Sequence, residues 1–256
     1  MNLAQPLRLG NSGPWLRLFS AALLVLVWAL AAEIAQSRVL PGPGAVAESF
    51  YYNLVDGRLL SDLAITLFRV VVSFAIAMII GVAVGIVMGL RKRLDILLDG
   101  WLILFLNIPA LVIIILCYVW FGLTEVAAII AVSLNKIPNV IVIMREGTRA
   151  VDRELLQVAQ VFHVDRQRRF FKFFLPQLYP YIMASARTGV ALIWKIVLVV
   201  ELLGRSNGVG FQLSVYFSLF DIAGILAYTL AFVAVMMFVE LGVVAPIERH
   251  IMRWRK

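Results

Sequence analysis

The sequence predicts an all-α membrane protein with about six transmembrane helices, and three observations lead there. Hydrophobic residues make up 62% of the 256-residue chain and charged ones 15%, with a mean hydropathy of +0.96. A chain of that composition has the bilayer as its natural solvent. The apolar residues also gather into long runs separated by proline-, glycine- or arginine-rich breaks, and in hydrocarbon such runs satisfy their own backbone as helices. Finally, the basic residues fall mostly on alternate breaks, as they do when spans cross back and forth. At this length one membrane domain, residues 1–256, accounts for the whole sequence and leaves no room for a separate soluble module.

Met1 to Arg17 is a polar lead carrying Arg8 and Arg17, and Leu18 to Ala32 is the first apolar run. Small residues after Ala29 permit a cleavage site, so the run reads as a first span or a signal peptide; its length and unbroken course to Glu33 favour the span. Pro41, Gly42, Pro43 and Gly44 then break the chain, and Ala45 to Val55 reads as a short interfacial helix with Phe50, Tyr51 and Tyr52 at head-group depth. A second span covers about Leu63 to Leu90. Within it Ser73, Ala77, Gly81, Gly85 and Gly89 recur every four residues, a smooth ridge that lets another backbone approach inside the bundle or at a dimer seam. Arg69 on the same helix must snorkel or pair. After Arg91 to Arg93 a third span, about Ile96 to Phe121, is interrupted at Asn107 and Pro109, where a freed carbonyl must find a partner or line a wet cavity. Both residues are therefore candidates for a translocation pathway, with simple packing the other reading that stays open. The fourth span, about Glu125 to Met144, has a soft spot at Asn135, Lys136 and Pro138, and Arg145 closes it.

The stretch that follows is basic and aromatic. Asp152 is placed to cap a helix, with Val151 and Leu156 as a hydrophobic staple and Leu155, Val158, Ala159 and Phe162 on one face. His163 and Val164 interrupt it, Asp165 can cap a second helix, and Phe170, Phe173 and Phe174 repeat the apolar face until Pro176 removes the next backbone donor. Two short helices at an angle are expected. Arg166, Arg168, Arg169 and Lys172 cover the other side of the second one, which must lie in water or among head groups. By itself the pattern also fits an amphipathic linker resting on the bilayer. A fifth span begins near Tyr181 after Pro180 and ends near Gly204; a loop from Arg205 to Asp221, a sixth span from about Ile222 to Pro246 and a basic tail from Glu248 to Lys256 complete the chain.

Charge orients these spans. Arg8 and Arg17, Arg91 to Arg93, the many basic residues between Arg145 and Arg187, and Arg249 to Lys256 share one side, while Arg38, Arg58 and Arg205 lie on the other. The positive-inside rule puts both termini and the basic stretch in the cytoplasm. The net charge of +8 is thus spent on orientation and anionic lipid, not on nucleic acid. Within the spans Lys195 and Glu201 stand out. They lie about 9 Å apart along the helix axis and on different faces, so they cannot pair within the helix. Lys195 either offers a cation to an anion in the path, or snorkels, or neutralises an acid such as Asp99 or Glu240; Glu201 either lines the path or bonds the loop backbone after Gly204. No catalytic set is present: His163 and His250 are far apart, Cys117 is single, no metal-ligand spacing occurs, and there is no phosphate-binding Gly-x-x-x-x-Gly-Lys-Ser/Thr loop. The chain is not read as an enzyme, and no cofactor is expected on it.

Two stretches resemble a known family. In Gln157 to Pro176, Gln157, Val158 and Ala159 stand for Glu-Ala-Ala, His163 for Gly and Phe173 for Ile, while Leu175 and Pro176 match the final Leu-Pro of the EAA loop of ABC importer permeases, with the spacing kept throughout. Gln157 lacks the family's carboxylate, and His163 sits where the family uses Gly to turn, so the turn is expected to be built differently. In ALIWKIVLVVELLGRSNGVG, Trp194, Glu201, Gly204, Gly208 and Gly210 resemble permeases of the nitrate, sulfonate, taurine and bicarbonate group. The resemblance implies a type I ABC importer permease fold with a core over about 61–246 and cytoplasmic EAA-type coupling helices within 145–180. It further implies an ATP-binding-cassette ATPase dimer that holds ATP and magnesium, a second permease copy, a periplasmic solute-binding protein and a bacterial inner-membrane location. The substrate class implied is a small anion. A permease for an uncharged heterocycle such as a pyrimidine vitamin precursor, or an ion-gradient-driven secondary transporter, remains open on the sequence.

Overall fold

The computed structural model describes residues 13–37 and 39–251, and every regular element among them is helical. Arg8, Arg38, Arg253, Arg255, Lys256 and the side chains of Arg17 and His250 lie outside that description, so their part in the charge count rests on sequence.

The elements in order are α1 (Gly13–Ala35), α2 (Pro43–Val55), α3 (Leu59–Leu90), α4 (Lys92–Asn107), α5 (Ala110–Phe121), α6 (Glu125–Arg149), α7 (Arg153–Val161) and α8 (Arg166–Arg169). A π-helical turn, Phe170–Phe174, joins α8 to α9 (Leu175–Gly204), followed by α10 (Val209–Ser218), α11 (Ile222–Val239), a second π-helical turn, Glu240–Val244, and α12 (Ala245–Ile251). Four helices are long and apolar enough to cross a membrane: Leu18–Ala35, Leu59–Leu90, Glu125–Arg149 and Ile222–Arg249. The fifth is a broken pair. Instead of one kinked span, α4 and α5 meet at 97°, because Pro109 has no N–H for the helix ladder and Ile108 before it is extended. The remaining expected span is α9, whose 30 residues carry Arg187, Lys195 and Glu201 and pack inside the bundle.

α3, α6 and α9 form the centre. α3 and α6 run side by side because the four-residue ridge removes side chains where the backbones meet. A Cβ on Gly81 would lie 2.5 Å from that of Val140, one on Gly85 2.6 Å from that of Met144, and one on Gly89 2.5 Å from that of Thr148. The three pairs keep one constant offset along the chain. Ser133 continues the seam outward, its Oγ donating to Ser73 O at 3.4 Å. The ridge therefore lies inside one chain rather than at a seam between copies.

Two sequence expectations change here. α9 starts at Leu175 and runs through both Pro176 and Pro180. Pro176 has no N–H for the ladder, and the π-helical turn before it, with Leu175 N donating to Phe170 O, shifts the hydrogen bonding so that α8 and α9 stay continuous. Residues 205–221 are not all loop: Val209, Leu213 and Tyr216, spaced i, i+4, i+7, put α10 onto the cluster of Leu59, Tyr228 and Phe232. α1 is apolar along its length yet only 6% of its span is buried; among the described residues it packs mainly on α2, and Trp28 Nε1 donates to Pro41 O at 3.0 Å.

Candidate functional site

The basic stretch folds into an elbow. Asp152 Oδ1 accepts from the N–H of Glu154 at 2.8 Å and of Leu155 at 3.3 Å, so it caps α7 as its position dictates. Val151 and Leu156 join one apolar cluster with Met144, Phe174 and Leu178, the staple at the start of α7. α7 ends in a Schellman turn: Val164 N donates to Ala159 O and His163 N to Gln160 O, both at 2.9 Å, with His163 at φ +51°. The turn is thus built in the left-handed way a glycine would build it, and His163 carries the strain. Asp165 then caps α8 through Gln167 N at 3.1 Å. The second helix is not a separate short one, since α8, the π-helical turn and α9 form one continuous rod. Asp152 N also donates to Gln177 Oε1 at 2.8 Å, fastening α7 to that rod.

Burial divides the loop residues. Ala159 is 2% exposed, Phe174 is buried, and Phe173, Leu175 and Pro176 are half-buried. Gln157 is exposed, and Val158, Val161 and Phe162 form an apolar edge exposed by 51%, 74% and 77%. The elbow is pinned on one side and bare on the other.

At the opposite end of the bundle lies a buried ionic network. Arg69 on α3 reaches Glu125 on α6 (Nη2 to Oε1, 2.8 Å) and Glu201 on α9 (Nη1 to Oε1, 2.6 Å), and donates to Asn207 O at 3.0 Å. Thr66 Oγ1 donates to Glu201 at 2.8 Å while accepting from Val209 N at 2.9 Å; Gly210 N donates to Glu201 Oε2 at 2.8 Å. Asp62 accepts from Gly208 N at 2.9 Å and from the Tyr228 hydroxyl at 3.3 Å. Arg205 lies 2.9 Å from Glu125 Oε2. Gly208 is at φ +101°, and a Cβ there would meet Glu201 and Arg69 at under 3 Å, so the loop requires glycine. Arg69 therefore pairs instead of snorkelling.

The pathway candidates are scattered by the fold. Glu201 is 0% exposed and bonded at both oxygens, so it holds the loop after Gly204. Lys195 is exposed, with its Nζ 5.5 Å from the Trp194 ring, and pairs with neither Asp99 nor Glu240. Asp99 belongs to Arg145 at 2.5 Å, in a cluster where Arg149 and Asp95 also pair. Trp194 is half-buried and packs on Phe232 with ring centroids 5.5 Å apart. Asn107 and Pro109 sit exposed at the α4–α5 corner, where Asn107 Nδ2 donates to Ile103 O at 2.8 Å. The sequence reading named Lys136 only as part of a soft spot. α6 runs through Pro138 unbroken, and Lys136 is 1% exposed with no hydrogen-bond partner for Nζ among the described residues.

Residues 79–247 match the family of the binding-protein-dependent transport system inner membrane component. The chain belongs to this family, the permeases of ABC importers. The permease is 28% identical over 249 residues to a putative aliphatic sulfonates transport permease protein, SsuC, of Bacillus subtilis, covering 94% of this chain and 88% of that one. It is 26% identical over 240 residues to the taurine transport system permease protein TauC of Escherichia coli, covering 91% and 87%. It is 27% identical over 200 residues to the bicarbonate transport system permease protein CmpB of Synechococcus elongatus, covering 73% and 71%. A crystal structure of an amino acid ABC transporter with histidines superposes with a TM-score of 0.61 at 18% identity, covering 75% of this chain and 93% of that one, which establishes the shared fold. The permease is thus a multi-pass inner-membrane transport component.

Proposed function

We propose that this permease is the membrane subunit of an ATP-driven importer for a small anion of the sulfonate, taurine, nitrate or bicarbonate kind. Two copies pair, both termini lie in the cytoplasm, and each elbow engages one subunit of an ATPase dimer that holds the ATP and magnesium. A periplasmic solute-binding protein delivers the substrate. The observation that carries the reading is the elbow itself: a capped, stapled unit with Val158, Val161 and Phe162 bare at its edge and a helix that runs from it into the bundle as α9. A bare apolar edge on a basic surface needs a protein partner, and the continuous rod carries that partner's movement to the membrane core. ATP closes the ATPase dimer, the elbows move with it, and the helices exchange inward-open for outward-open arrangements. The substrate class is supported by the family of anion permeases among the relatives.

The test is ATPase activity of the complex reconstituted with its ATPase and binding protein, against taurine, alkanesulfonates, nitrate, bicarbonate and pyrimidines. Stimulation by one anion is expected; stimulation by a pyrimidine alone would replace the substrate class and keep the importer. Docking is tested at the exposed edge. Phe162→Asp is expected to abolish co-purification of the ATPase while the permease still melts cooperatively, whereas Ala159→Arg disrupts the elbow because that position is buried. Normal co-purification with Phe162→Asp would remove the docking assignment.

A further inference from the structure

Lys136 stands 11 residues after Glu125 and 13 before Arg149, near the middle of α6. Its surroundings are apolar. A Cβ on Gly189 of α9 would lie 3.0 Å from Lys136 Cε and 3.1 Å from Phe74 on α3, so these two elements close over the lysine stem. The constant α3–α6 offset set by Gly81, Gly85 and Gly89 brings Ala77 opposite Lys136, and Ala77 is itself fully buried. Small residues on both neighbours thus leave room for a long cationic side chain that no described carboxylate meets. Glu125 and Glu201 are occupied by Arg69 and Arg205, Asp62 by Gly208 and Tyr228, and Asp95, Asp99 and Glu146 by Arg145 and Arg149. One turn before Gly189, Ser185 Oγ is a second enclosed polar atom with no partner.

An ammonium offers three donors and no acceptor, and a hydroxyl can add a fourth donor. Together these donors suit an acceptor with several oxygens. A second copy of the chain cannot supply it from outside, because Lys136 is 1% exposed within a single chain. An unpaired cation in mid-membrane is costly, and such groups mark ion and substrate pathways.

We infer that Lys136 is the charge the transported oxyanion meets at mid-membrane, in the α6–α9 seam, and that this seam opens around it during transport. The inference rests on the anion-importer reading above and names the residue that selects the anion. It assigns to Lys136 the role that the sequence suggested for Lys195. The helices part, the anion's oxygens accept from Nζ, and Ser185 Oγ is placed one turn toward the cytoplasm as the next donor.

The experiment is uptake into proteoliposomes holding the full complex, with radiolabelled taurine, an alkanesulfonate, nitrate and bicarbonate. Wild type must import one of them; import of none overturns the substrate reading and leaves Lys136 out of account as its selector. With a substrate in hand, Lys136→Met is expected to lower uptake about tenfold or more, the effect of losing one hydrogen bond to a charged group. ATPase co-purification is retained and the melting temperature unchanged or raised, because an unpaired buried charge has been removed. Lys136→Arg is expected to recover most of the uptake. Full uptake by Lys136→Met, or failure of that variant to assemble, overturns the inference by making the lysine dispensable or structural. A second measurement stands apart from folding of the Met variant: in a Cys117→Ala background, the thiol of Lys136→Cys is expected to react with an aminoethyl thiosulfonate only during ATP turnover, with excess substrate protecting it. Reaction at one rate in all states overturns the opening of the seam.

Discussion

His163 holds a left-handed backbone that a non-glycine residue adopts only at a cost. The hydrogen bonds on either side, from His163 N to Gln160 O and from Val164 N to Ala159 O, show why it is tolerated: the turn is over-determined by its caps. His163→Gly should therefore stabilise the elbow by about 1 kcal/mol, read as slower amide exchange at Val164. A faster exchange would mean that the imidazole contributes a contact that glycine loses. The outer network allows a second residue-scale prediction. Arg69 faces two carboxylates, so Arg69→Met leaves Glu125 and Glu201 without that counter-charge and should cost about 3 to 5 kcal/mol. Glu201→Gln leaves the Arg69–Glu125 pair intact and should cost less, about 1 to 3 kcal/mol. Thermal melts of the two variants in detergent order them; equal losses would mean that Arg69 and Glu125 contribute little as a pair.

The α3–α6 pair is fixed by glycines and the α6–α9 pair by a glycine facing a lysine. Gly85→Val would drive a side chain into Met144 and the α6 backbone, an overpacking cost of about 1 to 3 kcal/mol. Gly100 on α4 has open space around its Cα, so Gly100→Val is the control and should leave the melting temperature nearly unchanged. The comparison checks that the ridge works through close approach, since both positions are helical glycines. The α4–α5 corner behaves differently from either pair. Its 97° bend follows from Pro109 and leaves Asn107 at an exposed corner.

For the molecule as a whole, the long faces of α1, α4 and α11 are apolar and bare in one chain. Lipid covers such a surface in a membrane protein, and the proposed pairing would cover part of it with a second copy. The expected mass of the detergent-purified complex, by light scattering with detergent subtracted, contains two 28.6 kDa permease chains with two ATPase chains. One permease chain per complex would overturn the pairing. The elbow and the ionic network lie at opposite ends of α9, with Lys136 beside the middle of that helix. A helix so placed joins the elbow's bare apolar edge to the ion-paired loop after Gly204, passing the unpaired Lys136 between them.

Sequence by itself determined the helical class, the breaks at Pro41–Gly44 and Arg91, the cap residues Asp152 and Asp165, and the small-residue ridge of α3. Each depends on neighbours a few positions away: hydropathy over a window, a side-chain oxygen two residues from an N–H, a period of four. The EAA-like spacing was legible for the same reason. Partner choice was not, because it depends on residues far apart in the chain. Arg69 meets Glu125 and Glu201 across separations of 56 and 132 positions, and nothing local distinguishes that arginine from one that snorkels. Sequence singled out Lys195 as the path cation and left Lys136 within a soft spot; only packing decides that the first lies on the surface beside Trp194 while Gly189, Phe74 and the α3 ridge enclose the second. Burial of a charge is a property of three helices together, and it exists only once they have packed.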